Sequence, residues 1–371
     1  MPASPKAFTP EQGVARVVDH DGGPLVVLGG AGSGRTQALV ARFARLVADG
    51  VPPESILLLT RTAAAADALR ARVEDALGDR PFEELPVMPI HGLCARLLRD
   101  EALEAGIDPF AVTATPADRL ALLLDRVDEL RLRRHDLRGR PAAVLGAVIA
   151  RIDRLKEEGV RAARYAAWAD GLAAEGERGE REREFAALFE AHDRLLLEQG
   201  LLDFGELVLR AQELLEQRPH VRARVAARWR HVLVDDIEDV TPAQCRVVLL
   251  LAAEHGELVA AADDDQAIDE PRAVAARLHA LLHARVGGRP VTVVRLARSH
   301  RCPDQVVIAA EAVVAPIADR LDEGWVGTDF EGSGAPGDVR LWRCASERAQ
   351  AQAVATAIER LVREGTPPGR I

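Results

Sequence analysis

Apolar residues follow two different rhythms along this chain. Leu25-Val26-Val27-Leu28 is a short apolar run that ends in Gly29-Gly30-Ala31-Gly32-Ser33-Gly34-Arg35-Thr36. Leu39, Val40, Phe43, Leu46 and Val47 then recur at helical spacing, so this stretch predicts strand, glycine loop, helix. A second strand is expected over Ser55 to Thr60, followed by an alanine-rich helix from Ala63 to Leu77. That β-α-β-α rhythm predicts an α/β fold with a parallel sheet flanked by helices. From about His91 to Gly200 the rhythm changes. Strand patterns vanish and leucines at helical spacing dominate, as over Asp118 to Leu132 and Arg183 to Leu197. The strand rhythm returns at His231 to Asp236, Glu257 to Ala262 and Pro290 to Leu296. A further strand (Val339 to Trp342) and helix (Glu347 to Glu364) are expected before Ile371, where another strand would be due.

Composition narrows the class. The 371 residues predict two or three domains, and 48% hydrophobic content supplies real cores. With 29 glycines and 21 prolines the chain is neither disordered nor fibrous. No apolar run is long enough to cross a membrane, and Met1 to Pro10 lacks the apolar segment of a secretory signal. Cys94, Cys245, Cys302 and Cys344 lie far apart, which predicts neither a zinc site nor a disulfide framework and fits a reducing cytoplasm. The net charge of −10 and an aromatic content of 4% give no whole-chain signal for nucleic acid, so any such role has to rest on local patches. All but two of the 48 basic residues are arginine, the exceptions being Lys6 and Lys156.

Two constellations carry chemistry. Backbone N–H groups of a glycine loop, with the N-terminus of the next helix, form an anion site suited to phosphates. The pattern GxxxxGK[ST] fits from Gly29 to Thr36 except that the lysine is Arg35. A glycine-rich turn without a ligand is the alternative. Arginine brings a wider, planar fork on a longer stem than lysine, so it attracts phosphate without occupying the lysine's place. The second constellation is the apolar strand ending in Asp235-Asp236-Ile237-Glu238-Asp239. Acids at such a strand end hold Mg²⁺ through Asp235 and offer Asp236 as a water-orienting base, unless they are only a solvated strand end. Lesser features have plain readings. Arg131, Arg133, Arg134, Arg138 and Arg140 make a basic cluster that either grips phosphates or caps a solvated helix. Glu177 to Glu184 is a mixed-charge helix start, and His91 and Cys94 are packing residues rather than ligands.

The order of these motifs resembles the UvrD/Rep-type superfamily 1 DNA helicases over nearly the whole chain. The resemblance begins at Phe8-Thr9-Pro10-Glu11-Gln12, where Gln12 matches the adenine-reading glutamine. It continues through the glycine loop, Ile90-His91-Gly92-Leu93, Leu202-Asp203-Phe204-Gly205-Glu206-Leu207 and the two-acid strand. Asp263-Asp264-Asp265-Gln266-Ala267-Ile268 follows, in which Gln266 would sense the γ-phosphate, and Leu296 to Pro303 ends the series with Arg301 as a γ-phosphate contact. The resemblance implies ATP and Mg²⁺ as cofactors. Gln12, Gly29, Gly32, Ser33, Gly34, Arg35, Thr36, Gln37, Gln266, His300 and Arg301 would bind nucleotide, Thr36 and Asp235 would hold Mg²⁺, and Asp236, Arg35 and Arg301 would be catalytic. It implies a first RecA-like domain over 1–90 and 201–288, a helical insertion over 91–200, and the start of a second RecA-like domain over 289–371.

The departures from the family pattern are specific. Its lysine is Arg35, the following arginine is Gln37, its catalytic glutamate is Asp236, the next glutamine is Glu238 and its adenine-stacking tyrosine is His300. The run that contacts single-stranded DNA has lost its aromatic, asparagine and lysine in Thr60-Arg61-Thr62-Ala63-Ala64-Ala65-Ala66. A second platform has become Asp269 and Pro271-Arg272-Ala273. Base–aromatic stacking is worth ~1–3 kcal/mol per base, so both losses weaken a single-strand path. Two functions remain open. One is an ATP-dependent 3′-to-5′ DNA helicase or translocase of repair or recombination, with weakened or lost hydrolysis. The other is a non-catalytic, motor-like subunit beside an active helicase or helicase-nuclease, an arrangement that resembles the actinobacterial AdnAB-type complexes. Duplex contact through Arg131, Arg133 and Arg134 is expected in either case.

Overall fold

The computed structural model describes residues 12–130, 132–134, 139–172, 175–267, 271–317, 320–321 and 339–371. The motif residues Phe8 to Glu11, Arg131, Arg138, Ile268 and Asp269, and the side chains of residues 271–276, lie outside that description. The strands are β1 (Leu25–Gly29), β2 (Ile56–Thr60), β3 (Val87–Pro89), β4 (Val112–Thr113), β5 (Leu201–Leu202), β6 (His231–Val234), β7 (Leu258–Ala262), β8 (Arg285–Val286), β9 (Arg289–Pro290) and β10 (Thr292–Leu296). Six of them form one sheet in the order β10-β1-β7-β6-β2-β3, and every pairing in it is parallel.

A parallel sheet is covered on both faces, so its strands read as continuous apolar runs. β1, β2 and β7 are buried at every position. Alternate side chains enter different cores. Leu25, Val27, Ile56, Leu58 and Val259 pack with Leu39, Phe43, Leu69 and Val73 from the helices Arg35–Ala48 and Ala63–Leu77. Val26, Leu28, Leu57, Leu59, Val232 and Val234 pack on the other face with Leu93, Leu97, Leu207, Val247 and Leu251. The alanine-rich helix spans Ala63–Leu77 as its periodicity predicts, with Thr62 accepting from the Ala65 N–H at 3.1 Å as its cap.

Three expectations need correction. The strand Thr292–Leu296 was expected to lie beyond residue 289 in a second domain. It pairs in register with β1 instead, Leu25 to Thr292 through Gly29 to Leu296, and closes one edge of the first sheet. The helix Ile90–Asp100 was expected in the insertion. Its Ile90, Leu93, Cys94, Leu97 and Leu98 form one apolar face of the helix and are buried in the sheet's core beside Leu207 and Leu214 of the helix Phe204–Gln217. Val339 to Trp342 is expected as a strand; among the described residues it forms none, and Leu341 is exposed. Beyond Leu296 the described residues hold the helices Asp304–Val314 and Glu347–Arg363 and no strand.

The insertion has its own core of Leu123, Leu145, Ile149, Ile152, Tyr165, Phe185, Phe189 and Leu195. Much of the chain's scarce aromatic content sits here: Tyr165 meets Trp168 and Phe185 at centroid distances of 5.1 and 5.2 Å, and the Arg151 guanidinium lies 4.1 Å from the Phe185 ring centre.

A buried charge hub joins this insertion to the sheet domain. Lys156 Nζ donates to Asp193 at 2.7 Å and to Asp203 at 2.8 Å, and lies 3.5 Å from Glu206. Arg119 donates to His192 at 2.9 Å and to Asp153 at 2.7 Å. Asp203 also caps the helix Phe204–Gln217 by accepting from the Glu206 N–H. His192, Asp193 and Asp203 lie close enough to share a metal ion, but two cations already fill the space between them. Burial alone would raise the Asp203 pKa, yet the charges of Lys156 and Arg119 outweigh it and hold the carboxyl below its ordinary range.

Replacing Lys156 with Met keeps the volume and removes the charge. The variant is expected to lose about 3–5 kcal/mol of unfolding free energy at neutral pH, because Asp193, Asp203 and Glu206 lose the buried cation they share. Asp203 has a depressed pKa, so its contribution is present above the unfolded value of 3.8 and is lost as pH falls through the lower folded value. Urea titrations across that range are expected to show the difference between the two proteins shrinking with acidification.

Candidate functional site

All strands of the sheet point the same way, so their carboxyl ends meet at one edge. β1 delivers the glycine loop there, β6 delivers Asp235 and Asp236, β7 delivers Asp263, and β10 delivers the segment Leu296–Arg301. Ligands of parallel α/β sheets bind at this edge.

The loop is built without room for side chains. A Cβ on Gly29 would lie 2.6 Å from Ser33 Oγ, and one on Gly32 would lie 2.5 Å from Arg301 Cβ. Gly32 and Gly34 have φ of +77° and +92°, a region that glycine adopts without strain. The segment after β10 is stitched onto the loop: the His300 N–H donates to the Gly32 carbonyl at 2.8 Å, and Ser299 Oγ donates to the Ala31 carbonyl at 2.8 Å. Ser33 Oγ is buried without a partner. Together these walls enclose a polar cleft of about 300 Å³, lined by Gly30 to Gln37, Arg72, Asp236, Gln266, His300 and Arg301.

Most residues expected at the site therefore converge. Gly32, Ser33, Gly34, Arg35, Thr36, Gln37, Asp236, Gln266, His300 and Arg301 share the cleft wall, and Gly29 supports it from the end of β1. The Thr36 hydroxyl donates to Asp235 at 3.3 Å, which sets a hydroxyl and a carboxylate, oxygen donors of the kind Mg²⁺ takes, side by side. Gln12 opens the helix Gln12–Val18 with an exposed side chain and is not among the lining residues. Sequence reasoning missed Arg72. It projects from the helix Ala63–Leu77, donates to Gln37 Oε1 at 2.8 Å, and no motif in the sequence marks it.

The electrostatics differ from a simple phosphate cradle. Arg35 is buried, and its guanidinium faces three carboxylates: Asp236 at 3.5 Å, Glu238 at 3.3 Å and Asp263 at 3.5 Å. Burial pushes the Asp235 carboxyl up to about 6, and neighbouring Asp236 adds to the rise. Burial likewise pushes Glu238 up to about 8, against the opposing pull of Arg35. Asp236 and Asp263 are raised by burial as well. Asp236 has φ of +51° and is the one non-glycine residue among those described with a left-handed backbone. Such strain persists where surrounding contacts over-determine it and clusters at functional sites.

The expected single-strand surface is altered as well. Arg61 at the end of β2 pairs with Asp239 at 3.2 Å. An aromatic pair lies elsewhere: Phe204, 45% exposed, meets His91 edge-on at 5.3 Å. Cys94 is buried in the sheet's core, as a packing residue should be, and burial drives its thiol pKa up to about 12. In the basic cluster, the Arg133 and Arg134 N–H groups donate to Glu184, and the Arg134 guanidinium pairs with Glu180.

The fold and cleft define a nucleotide-binding α/β domain of the glycine-loop class. Residues 9–281 match the UvrD/REP helicase N-terminal domain, and the chain belongs to that family. It is 29% identical over 352 residues to the DNA helicase II of Haemophilus influenzae, covering 92% of this chain and 45% of that protein. The DNA helicase II of Escherichia coli is 28% identical over 323 residues, covering 86% and 42%. The ATP-dependent DNA helicase PcrA of Leuconostoc citreum is 27% identical over 349 residues, covering 94% and 44%. The chain thus spans about half the length of the curated relatives it matches.

Two glycine substitutions separate strain from collision. Gly32→Ala is expected to cost about 1–3 kcal/mol and to uncouple the loop from Ser299–Arg301, because its Cβ has nowhere to go. Gly34→Ala meets no atom within 4 Å, so it carries only the left-handed penalty of about 1 kcal/mol. Denaturant unfolding of the two variants checks the difference.

Proposed function

We propose that this chain is the nucleotide-binding motor portion of a UvrD-type, ATP-dependent DNA helicase or translocase that acts on the chromosome in the cytoplasm during repair or recombination. The observation that carries this reading is the single cleft that gathers the glycine loop, Thr36 with Asp235, Asp236, Gln266, His300 and Arg301. Its tight glycine walls leave backbone N–H groups, not side chains, to meet phosphate oxygens. Thr36 and Asp235 would hold Mg²⁺, which when bound neutralises charge on those oxygens. Gln266 and Arg301 would read the γ-phosphate from opposite walls. His300 offers an imidazole face to the adenine, and Asp236 orients the attacking water. The described residues contain no helix long and apolar enough to cross a membrane.

Hydrolysis in this reading is weakened. Asp236 is one methylene shorter than glutamate, and a displacement of ~1 Å at such a group costs orders of magnitude. The second reading is a motor-like subunit that binds nucleotide and leaves most turnover to an active helicase or helicase-nuclease partner, as in AdnAB-type complexes. The pairing of Arg61 with Asp239 favours it, since a carboxylate beside that exposed cation offsets its charge toward a DNA backbone. In this reading Phe204 with His91 is the remaining stacking surface for single-stranded DNA, and Arg134 contributes less to duplex contact because Glu180 already engages its guanidinium.

Asp236→Glu is expected to raise single-stranded-DNA-stimulated ATP turnover by about 10-fold or more, with KM within about threefold of the parent. Asp235→Asn is expected to abolish Mg²⁺-dependent nucleotide binding. Turnover by the unmodified chain at about 10 s⁻¹, the ordinary enzyme range, would sink the weakened-motor reading.

A further inference from the structure

Arg35 is the residue at which this cleft departs most from a lysine-based phosphate site, and the structure shows what surrounds it. The side chain is 9% exposed. One arm of its fork, Nη2, lies 3.5 Å from Asp236, whose own side chain is 42% exposed. The other arm, Nη1, turns inward to Glu238 Oε1 at 3.3 Å and Asp263 Oδ2 at 3.5 Å. The three acids are not equivalent. Asp263 also accepts hydrogen bonds from the Gln266 side chain and the Asp265 N–H. Glu238 is 2% exposed, and Arg35 is the cation it faces among the described residues. Arg35 Nη1 and Glu238 Oε2 are both buried without hydrogen-bond partners. Arg35 keeps Asp236 and Asp263 beside it when Glu238 is neutralised, whereas Glu238 faces Arg35 alone among the described residues.

The pair also answers a steric problem. An arginine is longer than a lysine and ends in a planar fork, so an untethered head group at position 35 would project into the space of a nucleotide's terminal phosphates. We propose that Glu238 is the positioning residue of Arg35: with Asp263 it draws one arm of the guanidinium to the floor of the cleft, and Arg35 and Glu238 together replace the single lysine of the glycine-loop pattern. Glu238 touches no substrate in this arrangement and acts only through Arg35. The inference rests on the nucleotide-binding reading above. It implies that restoring lysine alone does not improve the site, because a shorter, unforked cation leaves Glu238 buried and unpaired.

The test is a double-mutant cycle on the full chain with Arg35→Lys, Glu238→Gln and the combined variant. Each is followed by the dissociation constant for MgATP, by kcat and KM for ATP in the presence of single-stranded DNA, and by thermal unfolding without nucleotide. Each single change is expected to weaken MgATP binding by about 10-fold or more, and the combined variant to return to within about threefold of the parent. Glu238→Gln preserves shape, so its loss is expected in nucleotide affinity and KM while unfolding without nucleotide shifts little. A purely structural role would shift the unfolding temperature and leave affinity unrescued in the combined variant. Additive losses overturn the pairing, as does parental affinity in Glu238→Gln. Binding by the combined variant alone overturns the claim that the pair replaces lysine. Absence of MgATP binding in all four proteins instead brings down the nucleotide reading on which the inference stands.

Discussion

The parallel alignment of β10, β1, β7 and β6 is the constraint on which the cleft depends. β1 and β7 are apolar runs buried at every position, β6 is buried over Val232–Val234, and the edge strand β10 buries Val294 and Leu296, so none can reverse or slip without exposing those side chains to water. Because all four run one way, the glycine loop, the Asp235–Asp236 pair, Asp263 and the Leu296–Arg301 segment emerge side by side. Groups separated by more than two hundred residues in the chain, such as Thr36 and Arg301, come to share one wall. The glycines complete the arrangement, since a Cβ on Gly29 or Gly32 would hold the segments apart.

Within that cleft, charge is arranged around a guanidinium. Three carboxylates face Arg35, and burial has moved at least two acids of the site toward neutrality, Asp235 to about 6 and Glu238 to about 8. The site is therefore held together from inside by an ion-pair group that a lysine-based cradle would not need. The backbone cradle depends on glycines that are retained, whereas the side chains at positions 35 and 236 depart from the family pattern.

The insertion is a separate packing problem with a separate solution. Its aromatic core stands apart from the sheet, and the joint is polar: Lys156, Arg119, Asp203 and Glu206 lie buried between them. Lys156 is one of only two lysines in an arginine-rich chain. Gly205 presses against its stem, where a Cβ would lie 2.6 Å from Lys156 Cβ, so position 205 leaves no room for a side chain.

The sequence by itself determined the sheet's principal strands, the glycine loop, the helix Ala63–Leu77, the two-acid strand and the mostly helical character of 91–200, which the structure interrupts with the short strand Val112–Thr113, because each is set by local periodicity or by glycines within a few residues. It also determined the family, through the order of motifs along the chain. Tertiary structure alone decided where the boundaries fall. Thr292–Leu296 and Ile90–Asp100 carry patterns that suit several partners, and only the pairing of the one with β1 and the burial of the other in the sheet's core join them to the sheet. The same holds for the site's finer chemistry. Position 35 reads as a departure in the sequence, but its partners Glu238 and Asp263 and the neighbouring Arg72 come from three other elements. Charge interactions act through space across a low-dielectric interior, and no spacing along the chain encodes that proximity.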